Sequence, residues 1–328
     1  MKLKISIVNH NSVQPLRDCL LSLLENVKGL EHEIYVVDNL CQERAGEMLA
    51  REFPQVKVLS NNQVLGFGAN HNQVLKQILD DSDYVLVLNP DTVLPPGSVP
   101  RMLDFLQTHE TVAVCSPTLI GTDGPWTSIP ERSVKLHRDA LLIAMYISNA
   151  GGLNRWLDRL RGRGQPADPE PRSQPAPAVD RAGDGAEYRE VIVGACMLFR
   201  SAALREVGLF DEQFFLYFEE YDWCLRAKAK NWRICWLRNV EIYHLKGYST
   251  TRLDFLEHLL ILVESWVHYY RKHGGKGAGW VLQLWLIGVA SFNTVRWSLT
   301  YLVRPKQRGV VGPWRAFSVN LIRKMVNA

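Results

Sequence analysis

Over the first 118 residues, apolar and polar positions follow two alternating rhythms. Strand-length apolar runs recur at Lys4-Ile5-Ser6-Ile7-Val8, Glu33-Ile34-Tyr35-Val36-Val37, Val56-Lys57-Val58-Leu59, Tyr84-Val85-Leu86-Val87-Leu88 and Thr111 to Ser116. Between the first two, Leu16, Leu20, Leu23 and Leu24 keep helical spacing. Strands alternating with helices predict an α/β sheet, with functional residues at the carboxyl ends of its strands. Tyr84–Leu88 is apolar throughout, as a central parallel strand covered on both faces should be. Asn9-His10-Asn11-Ser12 supplies turn and helix N-cap chemistry after the first strand, and Pro15 fits a first helical turn.

From about Gly121 to Glu190 the rhythm breaks. Leu141 to Leu160 is apolar with basic punctuation and predicts an amphipathic helix, while Gly164 to Ala186, rich in Pro, Ala, Arg and Asp, reads as a mobile loop. A strand resumes over Val191–Phe199. After Asp254, Phe255, Leu259, Leu262, Val263, Trp266 and Tyr270 repeat at helix spacing. Gly277 to Val295 carries no charge, so a membrane span has to be weighed. Gln283, Asn293 and three glycines dilute it, and cations stand on both sides, against the usual asymmetry. An interfacial helix with Trp280, Trp285 and Trp297 at headgroup depth fits better, with a buried helical hairpin as the alternative.

The chain has 328 residues, 47% of them hydrophobic, enough for a core domain and an appendage. The division expected is 1–250 for the main domain, with a partly mobile insertion over about 121–190, and 251–328 for a helical, basic region. Net charge is only +4, but Arg and Lys far outnumber acids after Thr250. Such a local excess favours phosphate-rich partners, anionic lipid or nucleic acid. The cysteines at 19, 41, 115, 196, 224 and 235 form no CxxC pair, which removes zinc-ribbon and thioredoxin readings. They read as reduced, mostly buried thiols. No signal peptide is expected at the start, where Lys2 and Lys4 interrupt a strand-length apolar stretch.

Two acidic spots carry the candidate chemistry. Tyr217-Phe218-Glu219-Glu220-Tyr221-Asp222-Trp223-Cys224-Leu225-Arg226 places three carboxylates within four positions of an aromatic segment. Like charges that close repel, so such a cluster serves a cation, a proton transfer or a structural arginine. Asp222 and Arg226 are four apart and can meet on one helical face. The second spot, Leu88-Asn89-Pro90-Asp91-Thr92, directly follows the apolar fourth strand.

Read in order, Ile7-Val8-Asn9-His10-Asn11, Val36-Val37-Asp38-Asn39, Asn62 to Asn72, Asn89-Pro90-Asp91, Val193-Gly194-Ala195, Gly208 to Glu212, Glu219 to Arg226 and Val240 to His244 form a series that resembles the family 2 glycosyltransferases of GT-A fold. The nearest resemblance is to the bacterial rhamnosyltransferase-like branch. It covers about residues 1–250 and implies a Rossmann-like, mostly parallel central sheet flanked by helices. The C-terminal helical extension, expected to associate with membranes, lies outside it.

The resemblance implies an inverting, metal-dependent transfer. Asp91 would bind a divalent cation, Mg²⁺ or Mn²⁺, with His244 as a further ligand, because a hard cation neutralises the departing diphosphate. Asn9, Asp38, Asn62, Gly66, Asn70 and Asn89 would contact the nucleotide-sugar donor. Glu220 would take the acceptor proton, Glu219 and Trp223 would meet a sugar, and Asp222 with Arg226 would brace the loop. As a dinucleotide fingerprint Gly66-Phe67-Gly68 is weak, since His71 stands where a third glycine belongs.

The implied donor is a deoxythymidine-diphosphate deoxysugar such as rhamnose, or a uridine-diphosphate sugar. The implied acceptor is a lipid-linked or cell-surface glycan, met by an enzyme peripheral on the cytoplasmic face of the membrane and held by an anionic surface, with no nucleic acid involved. A nucleotidyltransferase would need a Gly-rich basic loop after the first strand, where Asn9-His10-Asn11-Ser12 stands instead. A non-catalytic membrane-bound sugar or nucleotide-binding module explains the basic tail but not the acidic aromatic segment.

Overall fold

The computed structural model describes residues 1–41, 45–121, 124–125, 181–182, 185–244, 255–275 and 277–327. The amphipathic helix and most of the mobile loop expected in the insertion lie outside the described residues. Two compact units are present, Met1–Ser133 with Val179–Leu253, and Val134–Ala178 with Asp254–Ala328.

The first unit is a mixed sheet. Its strands are β1 (Lys2–Asn9), β2 (Glu31–Asp38), β3 (Lys57–Ser60), β4 (Tyr84–Leu88), β5 (Thr92–Val93), β6 (Val112–Gly121), β7 (Gly124–Pro125), β8 (Arg181–Ala182), β9 (Ala186–Arg189), β10 (Cys196–Arg200) and β11 (Arg233–His244). They are ordered β3-β2-β1-β4-β10-β6-β11-β9-β8, with β5 on β11 and β7 on β6. The β3-β2-β1-β4 half is parallel throughout, whereas β10 runs antiparallel between β4 and β6. β4 shows why the sheet is covered on both sides. Leu86 and Leu88 join one core with Leu16, Leu20 and Leu23 of α1 (Val13–Asn26) and Met102 and Leu106 of α4 (Ser98–Thr108). Val85 and Val87 join the other, with Val74 and Leu75 of α3 (Phe67–Ile78). Period-two alternation thus divides one apolar run between two cores.

Some elements differ from expectation. α1 begins at Val13 without a side-chain cap, and the Ser12 hydroxyl donates instead to the His10 carbonyl, 3.3 Å away. Of Val191–Phe199 only the second half is strand, because Gly194 and Ala195 form a turn. The remaining helices of this unit are α2 (Ala45–Glu52), α5 (Ser201–Val207) and α6 (Glu219–Ala229).

The second unit holds α7 (Phe255–His273), α8 (Ala278–Val303) and α9 (Arg308–Asn327). Among the described residues α8 is the one helix long and apolar enough, by length and composition, to cross a membrane. Its residues Leu282, Leu286, Ala290 and Trp297 are buried, while Val281, Leu284, Phe292, Val295, Leu299 and Leu302 recur at helix spacing and are exposed. Trp297 is therefore a core residue, not the headgroup anchor expected, because it shares the inward face with Ala290 and Asn293. Trp280 is exposed and lies under the Arg271 guanidinium, 4.6 Å from ring centre to cation.

Candidate active site

The strand-end acid is fixed by sheet pairing. β4 stops at Leu88, the chain turns at Pro90 and Asp91, and β5 then pairs antiparallel with the end of β11, His244 opposite Thr92. This pairing brings His244 Nε2 to 3.2 Å from Asp91 Oδ1 and 3.5 Å from Asn89 Nδ2. The Thr92 hydroxyl donates to the Asn89 carbonyl at 2.8 Å and closes the turn. Asp91 is buried, and its Oδ1 makes no hydrogen bond. A buried carboxylate oxygen without a hydrogen bond, beside an imidazole nitrogen, suits a cation. Carboxylate and imidazole together offer two donors, and no group of three His, Cys, Asp or Glu among the described residues completes a cage. Two protein donors suit an ion that takes its other ligands from water and phosphate, the habit of Mg²⁺ and Mn²⁺.

The second acidic site starts a helix. α6 is entered through Tyr217 and Phe218, both at φ 71°, the left-handed region that bulky residues avoid. Each such residue costs about 1–3 kcal/mol, which the surrounding packing must offset. Glu219, Glu220 and Asp222 occupy the first turn, where the helix dipole favours negative charge. Their fates diverge. Asp222 is fully buried and receives Arg226 Nε at 2.8 Å, and the same guanidinium donates to the Val207 and Leu209 carbonyls at 2.9 and 2.7 Å. The bracing pair expected from the i,i+4 spacing is therefore present. Glu219 is buried and Glu220 half-buried, and Oε2 of each is closed to solvent without a hydrogen-bond partner. Burial raises both carboxyls: Glu220 is pushed up to about 7, and Glu219, which also feels the charge of Glu220, well above the usual carboxylate range. Burial, then the two glutamates, pushes Tyr217 up to about 12.

Trp223 is corrected by the structure. It is 1% exposed, its indole N–H donates to the Gly208 carbonyl at 2.8 Å, and its ring stands edge-on to Phe199 at 4.8 Å. A ring so enclosed cannot stack on a sugar. Phe215 is exposed and Tyr217 and Phe218 are half-buried, so aromatic surface beside the acids comes from the loop before the helix.

A short turn that sequence reasoning left without a role joins the two sites. The Asn89 N–H donates to the Ala195 carbonyl at 2.9 Å. At the adjoining Gly194 a Cβ would lie 3.9 Å from the Glu220 carboxyl carbon and 3.7 Å from the Phe67 ring. Phe67 N–H in turn donates to the Phe215 carbonyl at 2.8 Å, and at Gly66 a Cβ would meet that carbonyl oxygen at 2.5 Å. Gly66 is needed because backbone lies directly against it. The β4 end, the Gly194 turn, the Gly66 turn and the acidic helix start thus form one continuous rim.

At the β1 and β2 ends, Asn9 is fully buried with Oδ1 lacking a hydrogen-bond partner, and Asp38 is half-buried with Oδ1 accepting from Cys41 N–H at 3.0 Å. Two donor-segment expectations shift. Asn70 is buried, its amide donates to the Leu65 and Gly66 carbonyls, and its oxygen accepts from Asn61, so it shapes the turn from behind. Asn62 is exposed, and the neighbouring Asn61 is the one that bonds Asn39, Asn70 and Gln73. Asn61 and Cys41 are the members that sequence reasoning missed, while Asn39 and Gly194 stood in its motif series without an assigned role. The asparagine-rich composition is the signal available for Asn61. His71 lies in the core, where Ser6 bonds its Nδ1 at 2.8 Å and burial lowers its pKa to about 3.

The chain matches the family model described as glycosyl transferase family 2 over residues 5–160. It is 24% identical over 252 residues to an N-acetylglucosaminyl-diphospho-decaprenol L-rhamnosyltransferase of Mycobacterium tuberculosis, covering 74% of this chain and 76% of that protein. It is also 24% identical over 255 residues to the low-salt glycan biosynthesis hexosyltransferase Agl10 of Haloferax volcanii, covering 77% of this chain and 70% of that one. Among solved structures, S. aureus TarS 1-349 in complex with UDP-GlcNAc aligns with TM-score 0.51 at 17% identity, over 99% of this chain and 90% of that one. The mannosyltransferase PcManGT of Pyrobaculum calidifontis, in complex with GDP-Man and Mn²⁺, aligns with TM-score 0.51 at 11% identity, over 99% and 86%. At such identities the structural likeness speaks for the fold alone. The mixed sheet with its two acidic sites, the family match and the named relatives together support a family 2 glycosyltransferase with a GT-A fold, similar in sequence to a rhamnosyltransferase.

Proposed function

We propose that this enzyme is an inverting, cation-dependent transferase that moves a deoxyhexose such as rhamnose from a nucleoside-diphosphate donor to a hydroxyl of a lipid-linked glycan. The observation that carries this reading is the shared rim. A carboxylate suited to a cation and a carboxylate suited to a proton stand at one end of the sheet, linked through Asn89, Ala195 and Gly194. The M. tuberculosis relative, named for a decaprenol-linked acceptor and rhamnosyl transfer, supports the choice of substrates. The Mn²⁺ in the Pyrobaculum complex supports the cation.

In this reading Asp91 and His244 would hold the divalent cation together with diphosphate oxygens. The cation, when bound, neutralises charge developing on the leaving diphosphate. Asn9 and Asp38 receive the nucleoside, and Gly66 lets the Phe215 backbone, which leads into the acidic helix start, close against the start of α3 beside the donor. Glu220 accepts the acceptor hydroxyl proton as that oxygen bonds the anomeric carbon and the carbon–phosphate oxygen bond breaks on the opposite face. A base with pKa near 7 is matched to that task, because it is ionised at working pH yet still basic enough to take the proton. Glu219 keeps its proton and donates a hydrogen bond to a sugar oxygen.

The division of labour along the chain belongs to the same proposal. Residues 1–250 catalyse, and 251–328 hold the enzyme at the cytoplasmic membrane face. The exposed stripe of α8 from Val281 to Leu302 enters the lipid interface, while Arg271, Arg304, Lys306 and Arg308 meet anionic headgroups. The opposite face of α8, which includes buried Gln283 and Asn293, is turned inward, and this favours an in-plane helix over a span.

The test is nucleoside-diphosphate release from a panel of dTDP-, UDP- and GDP-sugars, with and without chelator, using membrane lipid extract as acceptor. Release from one donor, dependent on both lipid and divalent cation, is expected. Release unaffected by chelator would remove the cation from the reading.

A further inference from the structure

The six cysteines fall into two groups. Cys19, Cys115, Cys196, Cys224 and Cys235 are buried, and burial raises their thiols, Cys19 and Cys224 to about 12. Cys41 is half-exposed and joins the ends of two adjacent parallel strands. Its sulfur accepts from Asn9 Nδ2 at 3.2 Å and from the Asn11 N–H at 3.1 Å, and its S–H donates to the Asn9 carbonyl at 3.3 Å. Its backbone N–H donates to Asp38 Oδ1 at 3.0 Å. Leu40, directly before it, and Asn11, whose N–H it accepts, are both left-handed, at φ 57° and 55°.

These contacts decide how Asn9 presents itself. With Nδ2 directed at sulfur, the other end of the carboxamide, Oδ1, is left buried without a hydrogen-bond partner in a residue that is 0% exposed. A buried acceptor in that state is costly unless a ligand supplies a donor. Asp38, one strand over and in register with Asn9, is held by the same cysteine and offers further acceptor capacity.

We propose that Cys41 is a positioning residue for the donor: its thiol orients Asn9 while its backbone N–H holds Asp38, so that the two stand as paired acceptors for a nucleoside N–H, and a bound nucleoside diphosphate covers it. The inference rests on the donor-site reading above and adds the residue that sets its geometry. Valine at this position keeps the volume but removes the sulfur acceptor and the S–H donor, which frees the Asn9 carboxamide to rotate. Serine keeps both hydrogen-bonding functions on a shorter bond.

The experiment first measures binding of UDP and dTDP, each with MnCl₂, to the wild-type chain by calorimetry. It then follows N-ethylmaleimide labelling of Cys41 by peptide mass spectrometry, and KM and kcat for the donor in C41V and C41S. Cys41 is expected to label before the five buried thiols, and saturating nucleotide is expected to slow that labelling at least tenfold. C41V should raise donor KM about tenfold, the scale of one lost hydrogen bond, with kcat within about twofold, and C41S should recover most of the loss. Absence of UDP and dTDP binding to the wild type would overturn the donor reading itself. Nucleotide binding that leaves Cys41 labelling unchanged, or a C41V donor KM equal to wild type, would overturn this inference alone.

Discussion

At the end of β4, Asp91 has an imidazole 3.2 Å away, an amide side chain beside that, and one oxygen without a hydrogen bond. At the start of α6, Glu219 and Glu220 follow one another with a buried oxygen each and raised pKa values. Two residues later Asp222 is satisfied by Arg226. All four are acids in one unit of the fold, and what surrounds each decides what it can hold. A carboxylate oxygen without a hydrogen bond, beside an imidazole and an amide, favours a cation at Asp91; burial favours a proton at the glutamates, and a guanidinium makes Asp222 structural. The acidic cluster at 219–222 thus has two parts, one with buried carboxyl oxygens that lack partners and one that braces, with helix periodicity dividing them.

The sharpest way to break this comparison is Glu220→Gln. Removing a general base should lower kcat by about 10³-fold, while calorimetry should find UDP or dTDP binding unchanged within about threefold. Retained turnover would take Glu220 out of the proton-transfer role. Next comes Asp91→Asn, which removes the charge but little volume. Transfer should fall by about 10²-fold, and the dependence of nucleotide binding on MnCl₂ should disappear, as titration of the metal would detect. If Asp91→Asn weakened nucleotide binding equally with and without metal, the strand-end site would be a polar contact only.

Arg226→Leu should act on folding rather than chemistry. It leaves the fully buried Asp222 without its partner, an error of about 3 kcal/mol in stability, measurable by urea unfolding. The double variant with Asp222→Leu should regain much of that loss, since a buried pair replaced by apolar groups of similar volume is close to neutral.

The smallest effect concerns pH. Glu219 and Glu220 bind protons more tightly folded than unfolded, so the folded state holds more protons between an ordinary carboxylate pKa near 4.5 and the folded value of about 7 for Glu220. Stability from these groups is therefore fully present below the unfolded value and is lost as pH rises through the folded ones. Activity should run the other way, rising through about pH 7 as Glu220 ionises. Glu219→Gln, a mimic of the protonated acid, should flatten the stability loss above pH 7 and leave the activity limb near pH 7. A limb displaced by a full unit would show that Glu219 is ionised in the working enzyme.

Much of the fold was legible because its strands are short, apolar and separated by helical spacing. Tyr84–Leu88 reads as central from composition alone, and it is. The antiparallel insertion of β10 was not legible, since strand direction depends on a partner far away in sequence. Of the site, Asp91, His244, Glu220 and the Asp222–Arg226 pair could be named from motif order and spacing, and the fold gathers them on one rim or one helix. Trp223 could not be judged from its aromatic neighbours, because its face is set by Cys224 and Ala227, which turn the same side of α6 into the core. Asn61 and Asn62 are indistinguishable in sequence, and only the bend between them decides which side chain points into the network.

The most direct test of the central claim is a crystal structure with UDP or dTDP and Mn²⁺, the metal located by its anomalous signal. The expected result is one manganese in direct coordination with Asp91 and His244, with the Glu220 carboxyl facing the β-phosphate across a gap that holds one sugar ring. Manganese bound away from Asp91, or Glu220 opening onto a cavity the nucleotide does not reach, would contradict the account.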